Sequence, residues 1–299
     1  MNRQKTAIVL GGKTGLLGRP LARALAEAGW MVHTPGREDL DLFSDDALAA
    51  YVDACAPDML FNTVAYTQVD KAEDEPEEAR RVNTCLPKLL GRVLRSRPVR
   101  CMHVSTDFVF NGKGHTPYSV DDTPDPQSVY GRTKLDGEKA LLEQMPERTV
   151  IARTAWLFGP GKKNFVHTIL GLCRQRDSLN IVHDQTGSPT YTVDLADMCV
   201  ALAGHETDGV YHLVNAGQAS WCELAAEAAA LAEVRCAIHA IPSAEYPQKA
   251  RRPAYSVLDT LRYTQTTGLT PRPWTQALRD YIFKDLWTTD LLAHTEPRQ

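Results

Sequence analysis

The chain has 299 residues, 43% of them hydrophobic, and a formal net charge of −4. That length allows one large α/β unit or two intimate domains with a substantial core, and the charge gives no reason to expect a nucleic-acid or anionic-membrane surface. No apolar run approaches the roughly 18 residues of a membrane span, and the seven scattered cysteines, without a CxxC pair, suggest free thiols in a reducing cytoplasm rather than a zinc site.

The basic N-terminus leads into an apolar run of only about five residues that ends in glycines, so a signal peptide is not expected. "TAIVLG" reads as a buried strand, and "LGRPLARALAEAGW" as a helix stopped at Gly29. "MVHTP", "DMLFN", "RCMHVS" and "TVIART" read as further buried strands. Between them lie "SDDALAAYVDAC", a helix capped by Ser44, and "EPEEARRVNTCLPKLLGRVLRS", a helix with acids in its first turn. The alternation predicts a doubly wound parallel sheet of Rossmann type with helices on both faces. Less regular sequence with many Pro and Gly follows, which suggests a smaller C-terminal substrate-binding domain. Residues 1–155, rejoined by 186–215, are expected to form the dinucleotide-binding domain, and 156–185 with 216–299 the substrate domain. Residues 288–299 read as a loose tail.

"IVLGGKTGLLGRPLARAL" places Gly12, Gly15 and Gly18 at GxxGxxG spacing between the first strand and the first helix. Glycines there permit a tight turn and close approach of a pyrophosphate to the positive helix N-terminus. Leu16 and Leu17 belong to the same loop. Arg37 follows the second strand, where a guanidinium suits the 2′-phosphate of NADPH and an acid would suit NADH. Glu38 keeps NADH open, and Asp41, with Leu42 beside it, is expected near the adenine.

"CMHVSTDFVFNGKG" ends a buried strand in Ser105, Thr106 and Asp107, with Phe108 next. Ligands of such sheets bind outside the carboxyl ends of the strands, so these three are expected beside the cofactor. "SVYGRTKLDGE" then carries Tyr130 and Lys134 one helical turn apart, on one face. A hydroxyl, a phenol and an ammonium beside a nicotinamide make a proton-delivery set. The phenol, with an ordinary pKa of about 10, is expected to be drawn down by the ammonium and the cofactor ring.

These motifs, with "NTVAYTQVDKAEDEPEEARRVN", "ARTAWLFGPGKKNFV", "VHDQTGSPTYTVDLADM" and "RRPAYSVLDT", resemble the extended short-chain dehydrogenases/reductases over nearly the whole chain. More narrowly, they resemble the dTDP-4-dehydrorhamnose reductase family. The resemblance implies Thr106, Tyr130 and Lys134 as the catalytic set. It implies Asn62, Ala65 and Tyr66 along the cofactor, and Asp107, Trp156 and Arg252 toward a nucleotide-sugar substrate, with Phe108 beside them. Asn164 opens a helix whose first turn is either a place for a phosphate or a plain helix start. Leu16 replaces a Gln common in relatives, and Phe108 a Tyr. Some relatives hold magnesium with carboxylates at a dimer contact. The matching positions here are Pro20 and Val193, so no such metal is expected, while a homodimer stays open. An epimerase or dehydratase is disfavoured, because Phe108 stands where a dehydratase has Glu and Arg37 argues against tightly held NAD. A regulatory subunit of the methionine adenosyltransferase type would not need the full Thr–Tyr–Lys set.

Overall fold

The computed structural model describes residues 3–286. Strands β1 (Thr6–Leu10), β2 (Met31–His33), β3 (Met59–Asn62), β4 (Arg100–Thr106) and β5 (Thr149–Thr154) join a last strand, Gly209–His212, in one sheet. Every pair is parallel, and the order is β2-β1-β3-β4-β5 and then Gly209–His212. The order reverses between β1 and β3, which opens a crevice at their carboxyl ends.

Successive side chains of β1 point to opposite faces, and both faces are buried. Ala7 and Val9 meet Leu21 and Leu25 of α1 (Gly18–Glu27), in a cluster that includes Leu195 and Leu202 of residues 192–203. Ile8 and Leu10 meet Leu48 and Val52 of α2 (Asp45–Cys55), whose N-cap is Ser44, as its sequence suggests. Double burial explains why β1, β3 and β5 read as continuous apolar runs. β2 differs from that expectation. It is the sheet edge, and Met31 is 49% exposed.

The helix expected over residues 75–96 is interrupted. After α3 (Val69–Ala72), α4 (Pro76–Arg80) runs through a π-turn at Arg81–Cys85 into α5 (Leu86–Leu94). The π-turn centres on buried Asn83, whose amide holds both the N–H and the carbonyl of Tyr66. It also donates to Thr133 of α6 (Val129–Gln144) at 3.2 Å. α6 lies so close that a Cβ on Gly137 would come within 2.1 Å of the Asn83 carbonyl oxygen. The one-residue widening is thus what seats α6, and with it Tyr130 and Lys134, against this segment.

Beyond β5, α7 (Phe165–Cys173) and residues 221–231 pack Val166, Leu170, Leu224 and Ala228 with Ala277 and Tyr281 in a separate core. α8 (Thr192–Ala203) returns to the main sheet, against α1. α9 (Trp221–Leu231) starts with a capping box of Ser220 and Glu223. The expected tail lies outside the described residues. Among the described residues, no helix is long and apolar enough to cross a membrane.

Candidate active site

The glycine loop sits at the crevice between β1 and β3. Gly11 takes φ +85°, and a Cβ there would meet Thr63 Oγ1 at 2.6 Å. A Cβ on Gly18 would come within 2.2 Å of the Gly11 carbonyl oxygen, so that glycine lets α1 dock on β1. α1 begins without a side-chain cap, since Leu17 supplies none. The Arg19 N–H returns to the Gly15 carbonyl at 3.3 Å and Pro20 has no N–H, so the loop's own N–H groups are what an anion would meet. These features fit a pyrophosphate. Leu17 itself is buried in the core, so only its backbone can face a ligand; Leu16 and Gly15 are half-buried at the rim.

Past β2, Arg37 is exposed and makes no ion pair among the described residues. Beside it Lys13, from the glycine loop, contacts Glu38 at 2.6 Å and Asp39 at 2.7 Å. The sequence reading passed over Lys13, although its place inside the GxxGxxG loop could have marked it. Asp41 is exposed and accepts from the Phe43 N–H at 2.9 Å, while Leu42 packs on the core. After β3, Ala65 and Tyr66 are half-buried at the crevice. The Tyr66 hydroxyl donates to Glu75 at 2.7 Å. Asn62, fully buried, turns its amide toward His103 rather than outward.

β4 and α6 bring the reactive groups together. Ser128 caps α6 through the Gly131 N–H, which fixes Tyr130 in the first turn. Thr106 ends β4, donates to Asp107 Oδ1 at 3.0 Å and accepts from the Phe108 N–H. The Phe108 ring meets Tyr130 edge-on at 5.5 Å. Ser105 departs from its expected place beside the cofactor. Its hydroxyl donates to Glu138, which Arg153 also binds, so it serves the scaffold.

The protonation states depart from expectation too. Burial pushes the Tyr130 phenol up to about 12, Thr106 opposing. The Lys134 side chain turns beneath, donating to the Val104 carbonyl at 2.6 Å, so its charge does not draw the phenol down. Burial lowers Lys134 to about 8, against the pull of Glu138. Asp107 is raised to about 6 by burial, and its Oδ2 has no hydrogen-bond partner among the described residues.

A cleft is lined by Asp184, Gln185, Ser243, Tyr246, Arg251 and Arg252. Arg252 pairs with Asp70 at 2.8 Å, yet its buried Nε has no partner among the described residues. That spare donor suits an anionic ligand. Trp156 has φ +49° and stacks on Trp221, ring centres 3.5 Å apart. Trp221 donates to Gln185 at 3.2 Å and was not foreseen. Asn164 is fully engaged as the cap of α7 and as a donor to Gly159, Lys162 and Tyr281. Any phosphate contact there falls to backbone N–H groups.

A parallel sheet with a glycine loop at its switch point, and a Thr–Tyr–Lys set at the next strand end, defines a dinucleotide-dependent dehydrogenase/reductase of the short-chain class. Within it, the chain belongs to the family described as RmlD substrate binding domain, which matches residues 6–286. It is 40% identical to the dTDP-4-dehydrorhamnose reductase of Streptomyces griseus, over 90% of each chain. It is also 40% identical to a probable dTDP-4,6-dihydroxy-2-methyloxan-3-one 4-ketoreductase of Streptomyces antibioticus, over 96% of each. The structure of the Bacillus anthracis dTDP-4-dehydrorhamnose reductase in complex with NADP superposes with a TM-score of 0.91, at 28% identity, over 94% of this chain and 100% of that one.

Proposed function

We propose that the protein is an NADPH-dependent reductase of the C4 ketone of dTDP-4-dehydro-L-rhamnose, giving dTDP-L-rhamnose for cell-surface polysaccharide. The observation that carries the reading is the Thr106, Tyr130 and Lys134 set at the carboxyl end of β4, beside the glycine loop and within this family. Bound NADPH supplies a hydride to the C4 carbon. The glycine loop would hold its pyrophosphate, and Arg37 would meet its 2′-phosphate. Thr106 orients the ketone oxygen, and Tyr130 gives that oxygen its proton as the alkoxide develops. A phenol raised to about 12 in this structure stays protonated at working pH, as a donor must. Lys134 holds the nicotinamide ribose. Arg252, Trp156 and the cleft beside them take the diphosphate and the sugar. The Streptomyces antibioticus relative favours a second reading, reduction of another dTDP-4-keto sugar by the same residues. The seven free thiols support work in the cytoplasm. Turnover of NADPH with dTDP-4-dehydro-L-rhamnose, its UDP counterpart and other 4-keto sugars tests the assignment. No oxidation with any of them would overturn it.

A further inference from the structure

Trp221 lies flat on Trp156, with ring centres 3.5 Å apart and planes 3° from parallel, and so covers one face of that indole. Gly187 covers the other face. A Cβ on Gly187 would come within 2.5 Å of Trp156 Cε2, 2.6 Å of Nε1 and 2.8 Å of Cζ2. Cε2 is a ring-fusion carbon, so an approach closest to it comes from above the ring and not along its rim. The three nearest atoms all belong to Trp156 and none to Trp221, which puts Gly187 on the face away from the stack. An indole covered on both faces has no face left for a sugar. What Trp156, half-buried, can offer is an edge.

The two jaws are joined. Thr186–Gly187 pairs antiparallel with Ala219–Ser220, Gly187 opposite Ala219, and Trp221 follows directly. Phe165 packs on Trp221 at 4.5 Å, and the Trp221 Nε1–H donates to Gln185 at 3.2 Å. Gln185 donates to Ser243 Oγ at 2.9 Å, and Asp184 accepts from the Ser243 N–H at 2.9 Å. These three residues line the cleft that Arg252 shares. The segment after Arg252 is tied to the same strand, since the Thr186 N–H donates to the Ala254 carbonyl and the Ser256 N–H to the Thr186 carbonyl, both at 2.8 Å. Trp156 itself packs on the cluster of Val109, Phe110 and Leu135, close in sequence to Asp107 and Lys134. The stacked pair therefore links the wall of the cleft to the reactive ends of β4 and α6. Trp156 also takes φ +49°, a left-handed conformation rare for a bulky residue, which persists only where the surroundings over-determine it.

We propose that Trp221 is a positioning residue for the nucleotide-sugar substrate. With Gly187 it clamps the Trp156 indole so that the substrate meets the edge of that ring, and through Gln185 it ties the ring to the wall of the cleft. The substrate role rests on the reductase reading; the clamp does not.

The first test needs no substrate. In proton–nitrogen spectra of tryptophan-labelled protein, the Trp156 indole signal, assigned by its loss in Trp156→Phe, should move when Trp221→Leu removes the ring stacked on it. A signal that stays in place would overturn the clamp. The second test is steady-state kinetics with the 4-keto sugar nucleotide. Trp221→Leu keeps an apolar side chain at the start of α9 and removes the stack, and Gly187→Ala presses the indole from its other face. Each should raise KM for the sugar nucleotide about three- to tenfold, the scale of one aromatic pair, with NADPH affinity at the wild-type value. Trp221→Phe keeps a ring on Trp156 and should recover most of that loss. A purely structural Trp221 would lower the melting temperature and leave the KM of the folded enzyme unchanged, which sinks the idea, as does a loss of NADPH affinity in step with KM. If Trp221→Leu does not fold, Gly187→Ala decides. If the wild type turns over no 4-keto sugar, the reductase reading fails and takes the substrate role with it, while the indole signal still decides the clamp.

Discussion

The Arg153 guanidinium binds the Glu138 carboxylate through three contacts of 2.7 to 3.2 Å, with both side chains 4% exposed or less. Ser105 adds its hydroxyl from β4. The pair ties β5 and β4 to α6 one turn past Lys134, so it holds the helix that carries the reactive face. Removing one partner leaves a buried charge without compensation, at a cost of about 3–5 kcal/mol. Arg153→Met should therefore lower the denaturant midpoint by far more than a surface change. A loss below about 1 kcal/mol, the scale of an exposed pair, would show that the pair does not brace α6.

Tyr130→Phe keeps the ring against Phe108 and removes only the hydroxyl. General acid catalysis contributes about a hundredfold to ten-thousandfold, so kcat should fall by that factor while NADPH titration stays near wild type. Retention of more than about a tenth of kcat would withdraw the donor role.

Arg37→Ala should weaken NADPH by about 1.5–3 kcal/mol, the range for a hydrogen bond to a charged group, and NADH much less. Lys13 already spends its charge on Glu38 and Asp39, which leaves Arg37 as the unengaged cation at this corner. Equal weakening of both cofactors in parallel titrations would move the preference to NADH.

Asp107 has a folded pKa of about 6, above its ordinary 3.8, because burial penalises its charge. The native state binds more protons than the unfolded one between those values. Stability therefore falls as pH rises from about 4 to about 6 and is level above. Asp107→Asn should abolish that decline and stabilise the protein near neutral pH, on the order of 3 kcal/mol. Melting curves that keep the same slope between pH 4 and 6 in the variant would assign it to another group.

Periodicity made the sheet legible. β1, β3, β4 and β5 are apolar runs because helices cover both faces, and Ser44 caps α2 where its sequence places it. The π-turn was not legible, because the extra residue at Asn83 is set by contacts with Tyr66 and Thr133, distant in sequence. β2 misled for a related reason. A three-residue strand reads alike at the edge and in the middle. Of the site, the glycine loop and the Tyr–Lys pair are local patterns. His103, Trp221 and the spare Arg252 donor are products of packing, and no spacing announces them.

Lys134→Met separates the two duties of the lysine. Met fills similar volume and is a good helix former, so α6 should persist. The nicotinamide ribose loses a donor, and the site loses the cation beneath Tyr130. NADPH affinity and kcat should both fall. Tyr130→Phe leaves the ribose contact in place and should lower kcat alone. Fluorescence titration and steady-state rates on the two variants side by side read the difference. Wild-type NADPH affinity in Lys134→Met, with turnover lost, would remove the ribose role. Wild-type affinity and wild-type turnover together would reduce Lys134 to a buried prop between Val104 and His103.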